Sequence, residues 1–276
     1  ETTKNTNIGF DMTLFKNKLS VNFDWFNKKT VDILFQSELP GTVGGASPPF
    51  INIAQMSNKG VDLQIAYRER INQDLSFEIS ANMTAYRNNI DKLASGVTFF
   101  DAGGSRIGPF NRNQVGQPLS SFFGYQIQGL FRDAQEVAEA PVQEGKEPGF
   151  FRMVDLVPDD TIRPSDRTFI GNPHPDFTYG INLSVTYKSF DLSAFFFGSQ
   201  GNDIFNYNRW WTDFWPSFQG QKSTRLLYES WTPQNTGASV PKASDKSNFS
   251  TNTQSSSYYV EDGSYLRLKQ LQIGYT

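Results

Sequence analysis

The sequence predicts an all-β protein, an antiparallel transmembrane β-barrel fragment with long extracellular loops. Three observations carry this expectation. Apolar residues recur at every second position through runs of about ten residues, the length a tilted strand needs to cross a bilayer. Amides, hydroxyls and acids fill the positions between. Tight turns and very long connections alternate along the chain.

The clearest run is Gly60 to Tyr86. Val61, Leu63, Ile65 and Tyr67 alternate with Asp62, Gln64, Ala66 and Arg68, then a polar turn spans Arg70 to Asp74. Leu75, Phe77, Ile79, Ala81, Met83 and Ala85 follow on one face, against Ser76, Glu78, Ser80, Asn82 and Thr84 on the other. A sandwich core would not accept the wet face without partners for its charges and amides.

Upstream, Ile8, Phe10, Met12 and Leu14 turn at Lys16-Asn17-Lys18 into Leu19, Val21, Phe23 and Trp25, a strand expected to continue through Val31, Ile33 and Phe35. Gly and Pro from Leu39 to Pro49 mark a loop. Arg87 to Pro175 shows no sustained spanning pattern. Phe177 to Tyr187 and Phe190 to Phe196 form another alternating pair around Lys188-Ser189. A long irregular segment from about Gln200 to Gly263 leads to a last strand, Ser264 to Thr276, whose phase slips near Lys269-Gln270 as at a bulge.

Seven spanning strands result. All short turns fall on one side and all long loops on the other, the asymmetry of outer-membrane barrels. Seven strands cannot close a wide barrel, and an open edge in lipid leaves backbone groups unsatisfied, so the sequence is expected to be partial. Its start at Glu1 and its end inside a strand-like run fit that expectation. Trp25, Phe26, Tyr67, Tyr86, Phe177, Tyr187 and Phe190 lie near strand ends, where interfacial aromatic girdles belong.

Composition narrows the function. No window approaches 18 consecutive apolar residues, which excludes a helical span. A net charge of −3 offers no basic surface for nucleic acid. The absence of cysteine rules out disulfides and thiolate chemistry. No phosphate loop, nucleophile elbow or triad is present, so no enzyme is expected and no catalytic residue is assigned.

Five motifs in order then carry a resemblance. They are Asn58-Lys59-Gly60-Val61-Asp62-Leu63; Asn82 with Asn88-Asn89-Ile90-Asp91-Lys92-Leu93; Gly171-Asn172-Pro173-His174-Pro175-Asp176-Phe177-Thr178-Tyr179-Gly180; Trp231-Thr232-Pro233-Gln234-Asn235; and Asp262-Gly263-Ser264-Tyr265-Leu266-Arg267-Leu268. Together they resemble the SusC/RagA family of TonB-dependent outer-membrane transporters. The resemblance implies that residues 1–276 are the latter half of a 22-stranded plugged barrel in the outer membrane of a Gram-negative bacterium of the Bacteroidota. It implies import of oligosaccharides or peptides, a SusD-like lipoprotein capping the mouth, and the TonB complex acting through an N-terminal part outside this sequence. Other classes stay open: a soluble carbohydrate-binding β-sandwich, or a surface structural or adhesive barrel without TonB coupling.

Two segments hold candidate sites. Asp155, Asp159 and Asp166 stand at positions 1, 5 and 12 of a twelve-residue window with Ile162 at position 8, the spacing of a calcium loop. Val157 replaces an oxygen ligand and Asp160 the turn glycine, so Ca²⁺ competes with a solvated loop anchored by Arg163 or Arg167. Trp210, Trp211 and Trp215 form the densest aromatic cluster, suited to substrate or partner contact and equally to packing on their own loop. His174, the sole histidine, lies between two prolines, where turn geometry accounts for it. Asp11, Ser20, Asn22, Asp24, Asp62, Gln64, Glu78, Ser80, Asn82, Asn182 and Ser184 are expected to line a hydrated interior.

Overall fold

A computed structural model describes residues 1–36, 50–94 and 96–276. The predicted loop from Leu39 to Pro49 lies outside the described residues. The chain opens with strands β1 (Thr2–Leu14), β2 (Leu19–Gln36), β3 (Phe50–Arg70) and β4 (Leu75–Lys92). It then leaves for the short strands β5 (Phe99–Ala102), β6 (Asn111–Gln114), β7 (Ser121–Tyr125), β8 (Ile127–Leu130), β9 (Phe151–Met153) and β10 (Arg167–Gly171). Strands β11 (Phe177–Tyr187) and β12 (Phe190–Gln200) return, β13 (Asp203–Phe205) and β14 (Val260–Asp262) depart again, and β15 (Tyr265–Tyr275) ends the chain.

The seven long strands form one antiparallel sheet ordered β1-β2-β3-β4-β11-β12-β15. Its register lines up whole rows of like side chains. Phe10, Phe23, Leu63, Met83, Tyr179, Gly198 and Leu266 cross the sheet on one face. One residue along, Asp11, Asn22, Gln64, Asn82, Gly180, Phe197 and Arg267 cross it on the other. The apolar face is not buried against a second sheet: Ile8 is 65% and Ile273 73% exposed. A sandwich would hide these rows, so that alternative fails.

In β15 the ladder steps from Phe195 opposite Gln270 to Phe196 opposite Leu268, leaving Lys269 as the extra residue of a bulge. The bulge keeps Leu266 and Leu268 on the same face as Leu271 and Ile273 despite their odd spacing. The short turns are built locally. Phe15, Lys16 and Asn17 all take positive φ, as does Lys188. In the middle turn, the Asn72 side-chain oxygen accepts the amides of Asp74 and Leu75.

Two expectations need correction. The ladder is longer than the apolar alternation: Gln55 pairs with Lys92, and Thr2 with Val31. Backbone pairing does not require an oily face, so strands extend past the apolar band where both sides are wet. Strand β2 continues through Val31, Ile33 and Phe35 to Gln36 as expected, with a register shift between Thr30 and Ile33 where Asp32 adopts φ of 56°. Phe26 and Tyr86 belong to the polar face, not the girdle, since the row is Phe26, Gly60, Tyr86. Gly60 is required there: a Cβ would approach the Phe26 ring and Tyr86 Cβ to 2.7 Å. Trp25, Tyr67, Phe177, Tyr187 and Phe190 keep the apolar parity.

The segments without spanning pattern are folded. Residues 93–94, 96–176 and 201–264 pack together on the side away from the short turns, and among the described residues they hold most of the buried apolar side chains, including Phe131, Phe151, Trp210, Val240 and Tyr259. A small sheet, β10-β7-β6-β5, and the pairs β8-β9 and β13-β14 frame this assembly.

Candidate functional site: a polar wall beneath a folded outer assembly

The polar face of the sheet is mostly a wall of hydrogen-bonding side chains, interrupted by Phe195 and Phe197 of β12 and by Phe26 of β2. Thr84 Oγ1 donates to Asp62 Oδ1 at 2.6 Å, and Asn7 Nδ2 donates to Asp24 Oδ1 at 3.2 Å. Asp24 and Asp62 face each other directly across β2 and β3. Asp11, Asn22, Gln64 and Asn82 join them around a recess of about 430 Å³. Toward the short turns, Lys16, Lys18, Arg68, Arg70 and Glu78 line a second recess of about 670 Å³. The wall offers many donors and acceptors for water or a polar solute.

The outer assembly is fastened to the wall at its rim. Asn88 donates to the Asn58 side chain at 2.8 Å and accepts the Leu119 amide at 2.7 Å. Ile90 exchanges backbone bonds with the loop at Gly116 and Gln117. His174 completes the fastening: Nδ1 lies 3.3 Å from the Tyr86 hydroxyl and Nε2 3.0 Å from the Leu119 carbonyl, while its amide donates to Asn172 Oδ1. The turn expected from the flanking prolines is present, and the ring adds a link between β4 and the loop. The Asn88 and His174 links were not predicted, because their partners lie 31 and 55 residues away in sequence.

The tryptophans separate. Trp210 is 6% exposed; its indole N–H donates to the Asn252 carbonyl at 2.8 Å, and its ring stacks on Tyr207 at 5.6 Å. Trp211 meets Trp210 edge-on at 4.7 Å, with the Arg106 guanidinium 4.8 Å from its centroid. Trp215 is 44% exposed, beside exposed Phe218. Lys222 lies under this group, donating to the Trp211 and Phe214 carbonyls at 2.8 Å, and its burial lowers its ammonium pKa. Asp213 is buried and accepts the Tyr258 hydroxyl at 2.7 Å; burial and this bond push the Tyr258 phenol well above its usual range, which keeps it a donor.

Three carboxylates of the acidic loop accept backbone amides of the loop itself, while Asp155 Oδ1 is buried without a hydrogen-bond partner. Asp166 is fully buried and accepts the amides of Leu156, Val157 and Arg163 at 2.7 to 3.0 Å. Asp155 accepts the Asp160 amide, and Asp159 the Thr161 amide with Arg163 at 3.4 Å. Among the described residues, no group of three or more acidic, histidine or cysteine side chains gathers that could hold a metal. Burial and the neighbouring acids push the Asp155 carboxyl up, whereas the backbone donors, outweighing burial, pull Asp166 down. The Asp166 carboxylate therefore stabilises the loop above the unfolded carboxyl range, near pH 4, and that contribution is lost as pH falls through its lower folded pKa. Asp166→Asn is expected to cost about 1–3 kcal/mol of local stability. Hydrogen exchange at Leu156, Val157 and Arg163 should speed up at pH 7 in the variant; unchanged exchange would contradict this role.

Compared with known proteins, the β-barrel family of TonB-dependent receptor-like proteins matches residues 1–156. The chain belongs to this family. TonB-dependent receptor P3 of Formosa agariphila is 34% identical over 281 residues, across all of this chain and 27% of that receptor. TonB-dependent receptor SusC of Bacteroides thetaiotaomicron is 24% identical over 285 residues, again across the whole chain and 26% of its own length. The solved structure of the RagAB peptide transporter superposes with a TM-score of 0.76 at 24% identity, covering 99% of this chain and 28% of that one. The chain spans about a quarter of the length of these relatives. The family places the sheet in the outer membrane of a Gram-negative bacterium, with the apolar rows toward lipid, the polar rows toward the lumen and the short turns periplasmic. The tight outer assembly is then extracellular.

Proposed function

We propose that this receptor barrel forms part of the wall and mouth of an energy-coupled importer of oligosaccharides or peptides. A SusD-like surface lipoprotein would close its mouth, and the TonB complex would drive it through a plug-bearing part. The observation that supports this reading most is the polar run Asp11, Asn22, Gln64 and Asn82 across β1 to β4, beneath a folded assembly anchored at Asn88 and His174. Such a wall suits hydrated solutes rich in hydroxyls and amides. Exposed Trp215 and Phe218 are the surface proposed to meet the lipoprotein.

In the full-length receptor, Asn82→Trp at the lumen centre should cut uptake of an oligosaccharide or peptide by tenfold or more. The amount of folded barrel in the outer membrane should stay normal. Uptake at the wild-type rate would contradict a route along this wall.

A further inference from the structure

The lipid-facing side of the sheet ends abruptly toward the extracellular rim. Its last apolar row is Ile8, Trp25, Val61 and Ala85. The next row outward on the same face is Thr6, Asn27, Lys59 and Arg87, and the one beyond it is Lys4, Lys29, Ser57 and Asn89. Two pairs of cations, Lys4 with Lys29 and Lys59 with Arg87, therefore stand directly opposite each other across neighbouring strands. Like charges in that position destabilise a sheet unless something neutralises them.

All four side chains are exposed. Arg87 pairs with Asp176, whereas Lys4, Lys29 and Lys59 have no carboxylate partner among the described residues. Asp91 lies near the outer row, where Ser57 and Asn89 donate to it. Below the cations, Trp25, Val61 and Ala85 line a groove of about 250 Å³ that Lys59 and Arg87 close from above. The groove is greasy at the membrane end; its water end carries Lys59 and the Arg87–Asp176 pair, and so keeps a net positive charge.

We propose that this arc binds the phosphate-bearing headgroup of an outer-leaflet lipid, with an acyl chain along the groove by Trp25. Charge complementarity and continuity with the apolar band select a lipid over a soluble anion. A cation near a charged membrane surface contributes on the order of 1 kcal/mol, or about fivefold in affinity.

The test uses the delipidated full-length receptor, native mass spectrometry and phosphorylated lipid A as probe. Lys29→Gln combined with Lys59→Gln should weaken binding about twenty- to thirtyfold. Lys29→Arg with Lys59→Arg should bind like wild type, and Lys16→Gln at the periplasmic rim should change nothing. Enzymatically dephosphorylated lipid A should bind the wild type at least tenfold more weakly. Equal binding of the two lipids, an unaffected glutamine pair, or an equal loss in Lys16→Gln would overturn the proposal. So would displacement of the lipid by millimolar inorganic phosphate, which would indicate a soluble anion.

Discussion

Ile79→Arg is expected to remove about 2–4 kcal/mol from barrel assembly and to leave little folded receptor in the outer membrane. Ile79 sits opposite Tyr67 and Leu183, within the apolar run of β4 from Leu75 to Ala85, and is 45% exposed on the lipid-facing side. An arginine there would bring its guanidinium against hydrocarbon. Its neighbour Glu78 points the other way, toward Ser184, with Arg68 at 3.9 Å. Glu78→Ala should assemble normally, because exposed surface pairs of this kind contribute little. The comparison is made on full-length receptor by heat-modifiable mobility of the membrane fraction. Equal yields of the two variants would refute the assignment of faces on which the lumen and lipid readings both depend.

The second large effect is expected in the extracellular assembly. Trp210→Ala should destabilise that assembly by about 3–5 kcal/mol, since it removes a buried ring and orphans the Asn252 carbonyl. Trp211, Phe214 and Tyr259 would lose packing on one side. Trp215→Ala, exposed and outside that core, should cost far less. Limited proteolysis of the folded receptor separates the outcomes: cleavage within residues 201–264 should appear in the first variant and not in the second. A protease-resistant Trp210→Ala assembly would mean that this ring is not central to the core.

Much of the barrel was legible in the sequence because one constraint acts on every residue of a spanning strand. Lipid on one side and water on the other impose period two, and Val61 to Tyr67 or Phe177 to Tyr187 cannot satisfy that as anything but half-wet strands. The bulge at Lys269 was readable for the same reason, as a break in that period. Outside the bilayer the constraint vanishes. The extra turns of ladder from Gln55 to Lys92 and the parity of Phe26 and Tyr86 left no alternation to read.

The candidate sites divided along the same line. Three tryptophans close in sequence read as one cluster, yet packing buried Trp210 and exposed Trp215, because burial depends on chain segments such as Asn252 that arrive from elsewhere. The spacing of Asp155, Asp159 and Asp166 is a local feature of the sequence, whereas the backbone amides that engage Asp166 are brought to it by the fold.

By itself, then, the sequence determined the number of long strands, which way each faces, which turns are tight and the family to which the barrel belongs. Those follow from local periodicity and from motifs read residue by residue. Only the tertiary structure decided that the long segments fold into one assembly pinned by Asn88 and His174, and that lysines from separate strands converge above the apolar band. Such contacts join residues far apart in the chain, and no local pattern encodes which distant partner will meet them.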